Sequence, residues 1–345
     1  MKQVEHAPKS SEKVADSLAF VDFFSVRSHV RLNHFYLRFA ELQSAHIYVS
    51  EELFDEYKGA NLHSLGRFAC SGKFSRRFGT AIRLLYLIAY LRPNKVVFLS
   101  YDLVSMWVLS NFLMLFGIKI VLFEHNTYPT GFLKLLAHKL IGNRVLRLVF
   151  TNYLQRDYTE LGLKSCEIAH PIPEPTQSVE IDRKYRAYLD SQFSQTKDFL
   201  GFCPSSSVHI DYVLDFSRKC KSLNLFAKGN ELQSTEDVIC RNYFDDYNSV
   251  LLASDFVYIP FDLSTKVSGP VFDALSIGKP VILKRNRFGR YVCEAFPGSV
   301  LFDDVCEDAL YSFLDSFDQR IPLQNWNKDI SDKFYNLVIR GIEHS

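Results

Sequence analysis

The stretch Tyr247–Leu283, YNSVLLASDFVYIPFDLSTKVSGPVFDALSIGKPVIL, decides the reading of this chain. An apolar helix ends at Ala253-Ser254-Asp255, and a strand, FVYIPF, follows. A polar loop, DLSTK, then leads into a helix that opens at Ser268-Gly269-Pro270. Serine ahead of a helix and proline in its first turn are start signals. The opening turn of such a helix offers amide N–H groups and a positive dipole end, which suits a phosphate. Gly269 and Asp273 are spaced i, i+4 and share one helix face. A ligand passing over the bare backbone at Gly269 would meet the Asp273 carboxylate one turn deeper, and a carboxylate can accept both hydrogen bonds of a vicinal diol. Lys266, just ahead of the helix, would neutralise a diphosphate. The bland alternative is ordinary capping.

Outward from this stretch, apolar runs of strand length alternate with segments of helix length. Strands are expected at 18–26, 45–49, 95–100, 119–124 and 148–151, with helices at 32–42, 76–91, 103–116 and 131–141. Continuous apolar strands such as VVFLS and IVLFE suit a parallel sheet covered on both faces. Three prolines in Ala169-His170-Pro171-Ile172-Pro173-Glu174-Pro175 stop regular structure. The alternation then resumes through strands at 199–204, 223–227, 255–260, 280–283 and 300–302, and helices at 211–220, 246–253, 268–277 and 288–296. The expected division is a polar leader at 1–16, a first doubly wound α/β domain at 17–170, a second at 171–326, and a C-terminal helix at 327–345 that would cross back to the first domain. The cleft between two such domains is the expected ligand site.

Composition narrows the function classes. The 345 residues are 47% hydrophobic and 23% charged, with a formal net charge of +1, so dedicated nucleic-acid binding is not expected. The total hides an asymmetry. Residues 1–170 carry 21 Lys/Arg against 14 Asp/Glu, a net of +7, and residues 171–345 carry 19 against 25, a net of −6. The seven cysteines (70, 166, 203, 220, 240, 293 and 306) contain no C-x-x-C pair, which argues against a zinc site or a disulfide framework and fits a reducing cytoplasm. The N-terminal residues are polar, so no secretory signal is expected. The most apolar run, 103–123, is interrupted at Phe116-Gly117 and reads as a buried helix followed by a buried strand. Asp245-Asp246 and Asp303-Asp304 invite a metal reading, but each precedes a helical pattern and reads better as an N-cap. The familiar metalloprotease, nucleophile-elbow, P-loop and dinucleotide motifs do not occur.

The helix-start segment, read on through Asp273-Ala274-Leu275-Ser276-Ile277-Gly278-Lys279-Pro280-Val281-Ile282, resembles the nucleotide-sugar site of GT-B glycosyltransferases. The likeness is especially to the retaining group related to bacterial polysaccharide and lipopolysaccharide assembly. Looser likeness extends to KVVFLSYD, IVLFEHNTY, LVFTNYLQRDYTELG and IAHPIP. The resemblance implies two Rossmann-like domains and a nucleoside-diphosphate sugar as donor. It also implies a glycan or lipid-linked acceptor, with no metal or other cofactor. On the donor side it points to Lys266, Ser268, Gly269 and Asp273. Ser206, where the family has cations, offers a hydroxyl that could hold phosphate less strongly. On the acceptor side it implies Asn126, with His125 orienting an acceptor hydroxyl or stabilising the leaving diphosphate. Arg27 and His29, placed after the first strand, would face the same cleft and bind an anionic acceptor or donor phosphate, or else lie in a solvated loop. His125 could equally be a loop residue bonded within 127–130.

The departures are specific. Asp273 stands where the family has Glu, Thr265 where it has a second Glu, and Phe202-Cys203-Pro204-Ser205-Ser206-Ser207 lacks the family's Arg and Lys. Two other classes therefore stay open: a non-catalytic GT-B-like scaffold and a sugar-nucleotide epimerase. Helix 131–141 puts Phe132, Leu136 and Leu140 on one face with Lys134, His138 and Lys139 elsewhere. With Lys73, Arg76, Arg77 and Arg83, and with the +7 balance of this half, it reads as a basic surface for the inner face of an anionic membrane. The alternative for either helix is an ordinary amphipathic helix over a sheet.

Overall fold

The structure, a computed structural model, describes residues 18–22, 30–57, 61–65, 73–125, 128–173, 183–205, 210–304, 306–317 and 323–341. The chain forms two compact units. The first comprises 1–148 and 161–166, the second 149–160 and 167–345.

The first sheet contains β1 (Leu18–Asp22), β2 (His46–Val49), β3 (Leu62–Ser64), β4 (Lys95–Ser100), β5 (Lys119–Phe123), β6 (Leu146–Val149) and β7 (Ser165–Glu167), in the order β3-β2-β1-β4-β5-β6-β7. The registered pairs are parallel. Val96 to Leu99 and Ile120 to Phe123 are buried without interruption, as strands covered on both faces require. Helices α2 (Lys73–Leu91), α3 (Leu103–Leu115) and α4 (Phe132–Ile141) share one core, built with Val96, Phe98, Ile120 and Leu122. Helix α1 (Val30–Leu42) supplies Tyr36, whose ring meets Phe123 at 4.4 Å. Each buried Val, Ile, Leu or Phe side chain contributes about 1.5–3 kcal/mol.

The order of this sheet reverses at β1 and β4, and a fully buried carboxylate sits there. Asp22 accepts from Ser100 Oγ, from Asn33 Nδ2 at 2.7 Å and from the Tyr57 hydroxyl at 2.6 Å. Burial and the neighbouring Asp22 charge push the Tyr57 phenol well above its ordinary value. A second buried charge, Arg147 on β6, lies 3.6 Å from Glu124 and donates to the His138 carbonyl of α4 at 3.0 Å.

The second sheet contains β8 (Phe199–Cys203), β9 (Leu223–Lys228), β10 (Val238–Arg241), β11 (Phe256–Ile259), β12 (Val281–Leu283) and β13 (Val300–Phe302), in the order β10-β9-β8-β11-β12-β13 and parallel throughout. Its helices are α5 (Asn152–Glu160), α6 (Arg183–Asp190), α7 (Ile210–Lys219), α8 (Tyr247–Ala253), α9 (Gly269–Ser276), α10 (Arg287–Ala295), α11 (Glu307–Ser316) and α12 (Leu323–Phe334), the last continuing as a π-helical stretch, Tyr335–Arg340. Gly201 on β8 is required by packing, because a Cβ there would lie 2.4 Å from the Phe256 ring.

Several expectations need correction. The division falls at 166/167 rather than 170/171, and α5 belongs to the second unit although it lies in the first half of the chain. Its ties explain this: Arg287 of α10 donates to both oxygens of Asp157 and stacks on Tyr153 at 4.6 Å. The C-terminal helix starts at Leu323 and belongs to the second unit. There Asn327 grips the backbone of Ile172, accepting from its N–H at 2.9 Å and donating to its carbonyl at 2.8 Å. Helix α3 is not wholly buried, since Val104, Trp107 and Leu115 are exposed, whereas His138 is fully buried and so belongs to no surface. The aspartate pairs do not cap by side chain. Asp246 occupies the N-cap position of α8 without a capping bond and instead accepts from Arg241 and the Tyr185 hydroxyl. Asp303 accepts from the Tyr258 hydroxyl, Asp304 pairs with Arg285, and Cys306 stands at the cap of α11.

Candidate functional site

The order of the second sheet reverses between β8 and β11, and in doubly wound folds ligands collect beyond the carboxyl ends of strands at such a reversal. Strand β11 leaves the core at Pro260 and runs into the 261–268 loop ahead of α9. Internal bonds shape this loop. The Ser264 amide donates to Asp262 at 2.9 Å, and its hydroxyl donates to the same oxygen, which holds the Asp262 carboxyl below its usual value. The Lys266 N–H closes a turn on the Leu263 carbonyl at 3.2 Å. The Tyr153 hydroxyl of α5 is shared between the carbonyls of Leu263 and Lys266, 3.4 Å from each, while Asn286 donates to the Phe261 carbonyl at 2.9 Å. Two outside elements thus hold the loop in place.

Helix α9 buries Val271, Phe272, Ala274 and Leu275, and Phe272 stacks on the buried His170 ring at 4.1 Å. This fixes the helix against the segment that enters the second unit. Ser268 is buried at the N-cap but makes no side-chain capping bond. Gly269 is exposed, and a Cβ there would meet nothing within 4 Å. No neighbour requires glycine at this position; its effect is to leave the helix start uncovered. Asp273 follows one turn later, half-buried, and accepts from the Tyr247 hydroxyl at 2.9 Å. Tyr247 is the first residue of α8, and its ring packs edge-on against Phe202 of β8 at 5.5 Å. A carboxylate has about four acceptor positions, so one phenol orients Asp273 without exhausting it.

Ser268, Gly269 and Asp273 therefore lie on one helix start, with Lys266 just ahead of it. The Lys266 side chain is exposed, and its main chain is what the loop fixes. His125 belongs to the first unit. It is half-exposed beyond β5, its ring nearly parallel to Phe123 at 6.3 Å. Arg27, His29, Asn126 and Ser206 lie outside the described residues. Sequence reasoning missed Tyr247 and Tyr153. The first stands 26 residues from its partner and the second more than 100, so no local pattern shows either. It also missed Arg241 at the end of β10, which lies over Phe226 at 4.9 Å and Phe244 at 5.4 Å and bonds Gln192 and Asp246. Asp246 directly precedes Tyr247, so this network seats the start of α8.

Lys279, in the G-K-P turn after α9, has a structural role. Its ammonium is buried and donates to the Ser254 carbonyl, and desolvation lowers its pKa to about 8. Gly278 before it has φ 69°, the left-handed conformation that ends the helix. Among the described residues, no group of three or more His, Cys, Asp or Glu could hold a metal ion.

No family model and no curated protein matches the chain. Solved structures do resemble it. Anabaena Alr3699/HepE in complex with UDP-glucose aligns over 93% of this chain and 100% of its own, at 12% identity and a TM-score of 0.67. A glycosyltransferase from Rickettsia africae ESF-5 aligns over 94% and 96%, at 11% identity and a TM-score of 0.64. A UDP-N-acetylglucosamine 2-epimerase from Listeria monocytogenes, so named provisionally, aligns over 96% and 97%, at 11% identity and a TM-score of 0.60. At such identities the likeness concerns architecture: the chain has the GT-B fold of two parallel-sheet α/β units.

Proposed function

We propose that this protein is a glycosyltransferase that takes a nucleoside-diphosphate sugar on its second unit and moves the sugar to a glycan or lipid-linked acceptor. The supporting observation is the pair Tyr247–Asp273 one helical turn below the uncovered start of α9, at the reversal of the sheet. Asp273 would accept both hydroxyls of the ribose, with Tyr247 holding its carboxylate in place. The diphosphate would lie over Ser268 and Gly269, met by helix-start amides and by the Lys266 ammonium. The sugar C1–O bond to the diphosphate breaks, the acceptor oxygen bonds to C1, and the acceptor hydroxyl proton passes to the departing diphosphate or to water. Stabilising the departing diphosphate is then the main task of the protein, and fixed dipoles perform it without reorganisation. No resident metal enters the proposal. His125, Asn126, Arg27 and His29 are proposed for the acceptor side.

The likeness to HepE, solved with UDP-glucose, supports a uridine nucleotide as the first probe. The likeness to the epimerase supports a second reading, in which the sugar is altered without an acceptor. Thermal unfolding with UDP, UDP-glucose and UDP-N-acetylglucosamine tests the site, since a ligand of the native state raises the melting temperature. Release of UDP only in the presence of acceptor identifies a transferase, a changed sugar without acceptor an epimerase, and binding without either a scaffold.

A further inference from the structure

We propose that the outer face of α2, α3 and α4 in the first unit is a docking surface for an anionic lipid bilayer, on which the protein lies without crossing it. Helix α3 is apolar on both sides. Met106, Leu109 and Leu113 fill the core, while Val104, Trp107 and Leu115 point away from it, Leu115 at 81% exposure. Even its outward Asn111 turns back on the helix, donating to the Trp107 carbonyl at 2.7 Å. Helix α4 continues the surface with Phe132, Leu136 and Leu140 at i, i+4 and i+8 and with the exposed Leu133 beside them, and the Asn111 amide reaches the Leu140 carbonyl of α4 at 3.5 Å. Helix α2 adds Tyr86 and Tyr90 on its outward face. Monomeric soluble proteins rarely expose so continuous an apolar surface, so it calls for a partner.

The charges identify that partner. Residues 73–144 contain ten Lys/Arg and two Asp/Glu. Of the two acids, Glu124 is buried beside Arg147 and Asp102 caps the first turn of α3, and over this stretch the cations heavily outnumber them. Arg83, Lys134 and Lys139 are exposed among the apolar side chains. Aromatic residues between an apolar face and exposed cations match the boundary of headgroups and acyl chains. A protein partner would need an acidic rim around an apolar groove, whereas a bilayer supplies both by its composition. No described helix is long and apolar enough to span. At 13 residues α3 measures about 20 Å, short of the roughly 30 Å of a hydrocarbon core.

The test uses the full chain and vesicles without nucleotide, so its outcome is separate from that of the donor site. Co-sedimentation is measured with phosphatidylcholine alone and with phosphatidylcholine mixed with phosphatidylglycerol, at low and high salt. Trp326→Phe leaves Trp107 as the sole tryptophan reporter. The parent is expected to pellet with the anionic mixture, less so at high salt, with a blue shift of Trp107 emission. Lys134→Glu with Lys139→Glu should weaken binding by at least roughly thirtyfold, the loss of two cations alone. Leu115→Gln with Leu133→Gln should abolish the blue shift, and circular dichroism checks that both variants stay folded. Equal pelleting with both vesicle types, an unshifted Trp107, or a dimer that the Leu115 and Leu133 changes dissolve without vesicle binding would each overturn the proposal.

Discussion

The Tyr247 hydroxyl donates to the Asp273 carboxylate across 2.9 Å, joining the first residue of α8 to the second turn of α9. If Asp273 holds a ribose, Asp273→Ala weakens nucleoside-diphosphate binding by about 1.5–3 kcal/mol, the range for bonds to a charged acceptor. Tyr247→Phe leaves the carboxylate in place without its orienting phenol and costs about 0.5–1.5 kcal/mol. Calorimetry on folded variants checks both, and an unchanged dissociation constant for Asp273→Ala removes the ribose assignment.

Two glycines are expected to respond in opposite ways. Gly269→Val adds carbon where nothing lies within 4 Å, so stability changes by only about 0.5 kcal/mol, while diphosphate binding is blocked. Gly201→Ala drives a methyl into the Phe256 ring and the Leu225 side chain, and destabilises by about 1–3 kcal/mol. Urea titration paired with a nucleotide-binding assay separates the two. Undiminished binding by Gly269→Val would mean that the helix start is only a cap.

His125 is expected to act on turnover. His125→Ala should lower kcat while donor affinity is nearly unchanged, as for an interaction made in the transition state. Parallel losses of stability, kcat and affinity would place it among structural residues.

Burial of Lys279 makes stability depend on pH in a definite direction. Its pKa is about 8 in the fold against about 10.4 for a free lysine, so between those values the unfolded chain binds more protons and stability rises with pH. The penalty is full below about pH 8 and is relieved towards pH 10. Lys279→Met has no such group. Its melting temperature relative to the parent should therefore fall as the pH is raised from 7 to 10. A constant difference would show that the lysine is not desolvated.

The buried pair Glu124–Arg147 should show strong coupling. Arg147→Met alone strands the Glu124 charge in the core and costs about 3–5 kcal/mol. Adding Glu124→Gln should recover much of this, and a double-mutant cycle by chemical denaturation measures it. Simple additivity would mean that the two charges do not sense each other.

Much of the fold was legible because doubly covered parallel strands are unbroken apolar runs: KVVFLS and KIVLF lie where the sequence puts them. Strands β3, β7 and β10 were not legible, since LHS, SCE and VICR are too short and too mixed to stand out. Helix α3 misled for a related reason. Composition shows that a helix is apolar all round but not whether anything covers its far side. At the candidate site, the opening Ser268-Gly269-Pro270 and the i+4 carboxylate are local and could be read directly. Tyr247, Tyr153 and Arg241 act across packed elements, and only the tertiary arrangement reveals them.

The path of the backbone has a consequence for dissecting the protein. Residues 149–160 lie with the second unit and 161–166 with the first, so the chain passes between the units at 148/149, 160/161 and 166/167. Neither unit is a single contiguous piece. A fragment ending at residue 170 would carry α5 without Arg287, Tyr291 or the 261–268 loop. Its complement would lack the tyrosine that secures that loop. During synthesis α5 emerges more than 100 residues before those partners, so its docking must await the C-terminal third of the chain. The completed second unit, with its candidate donor site, is therefore a late product of translation.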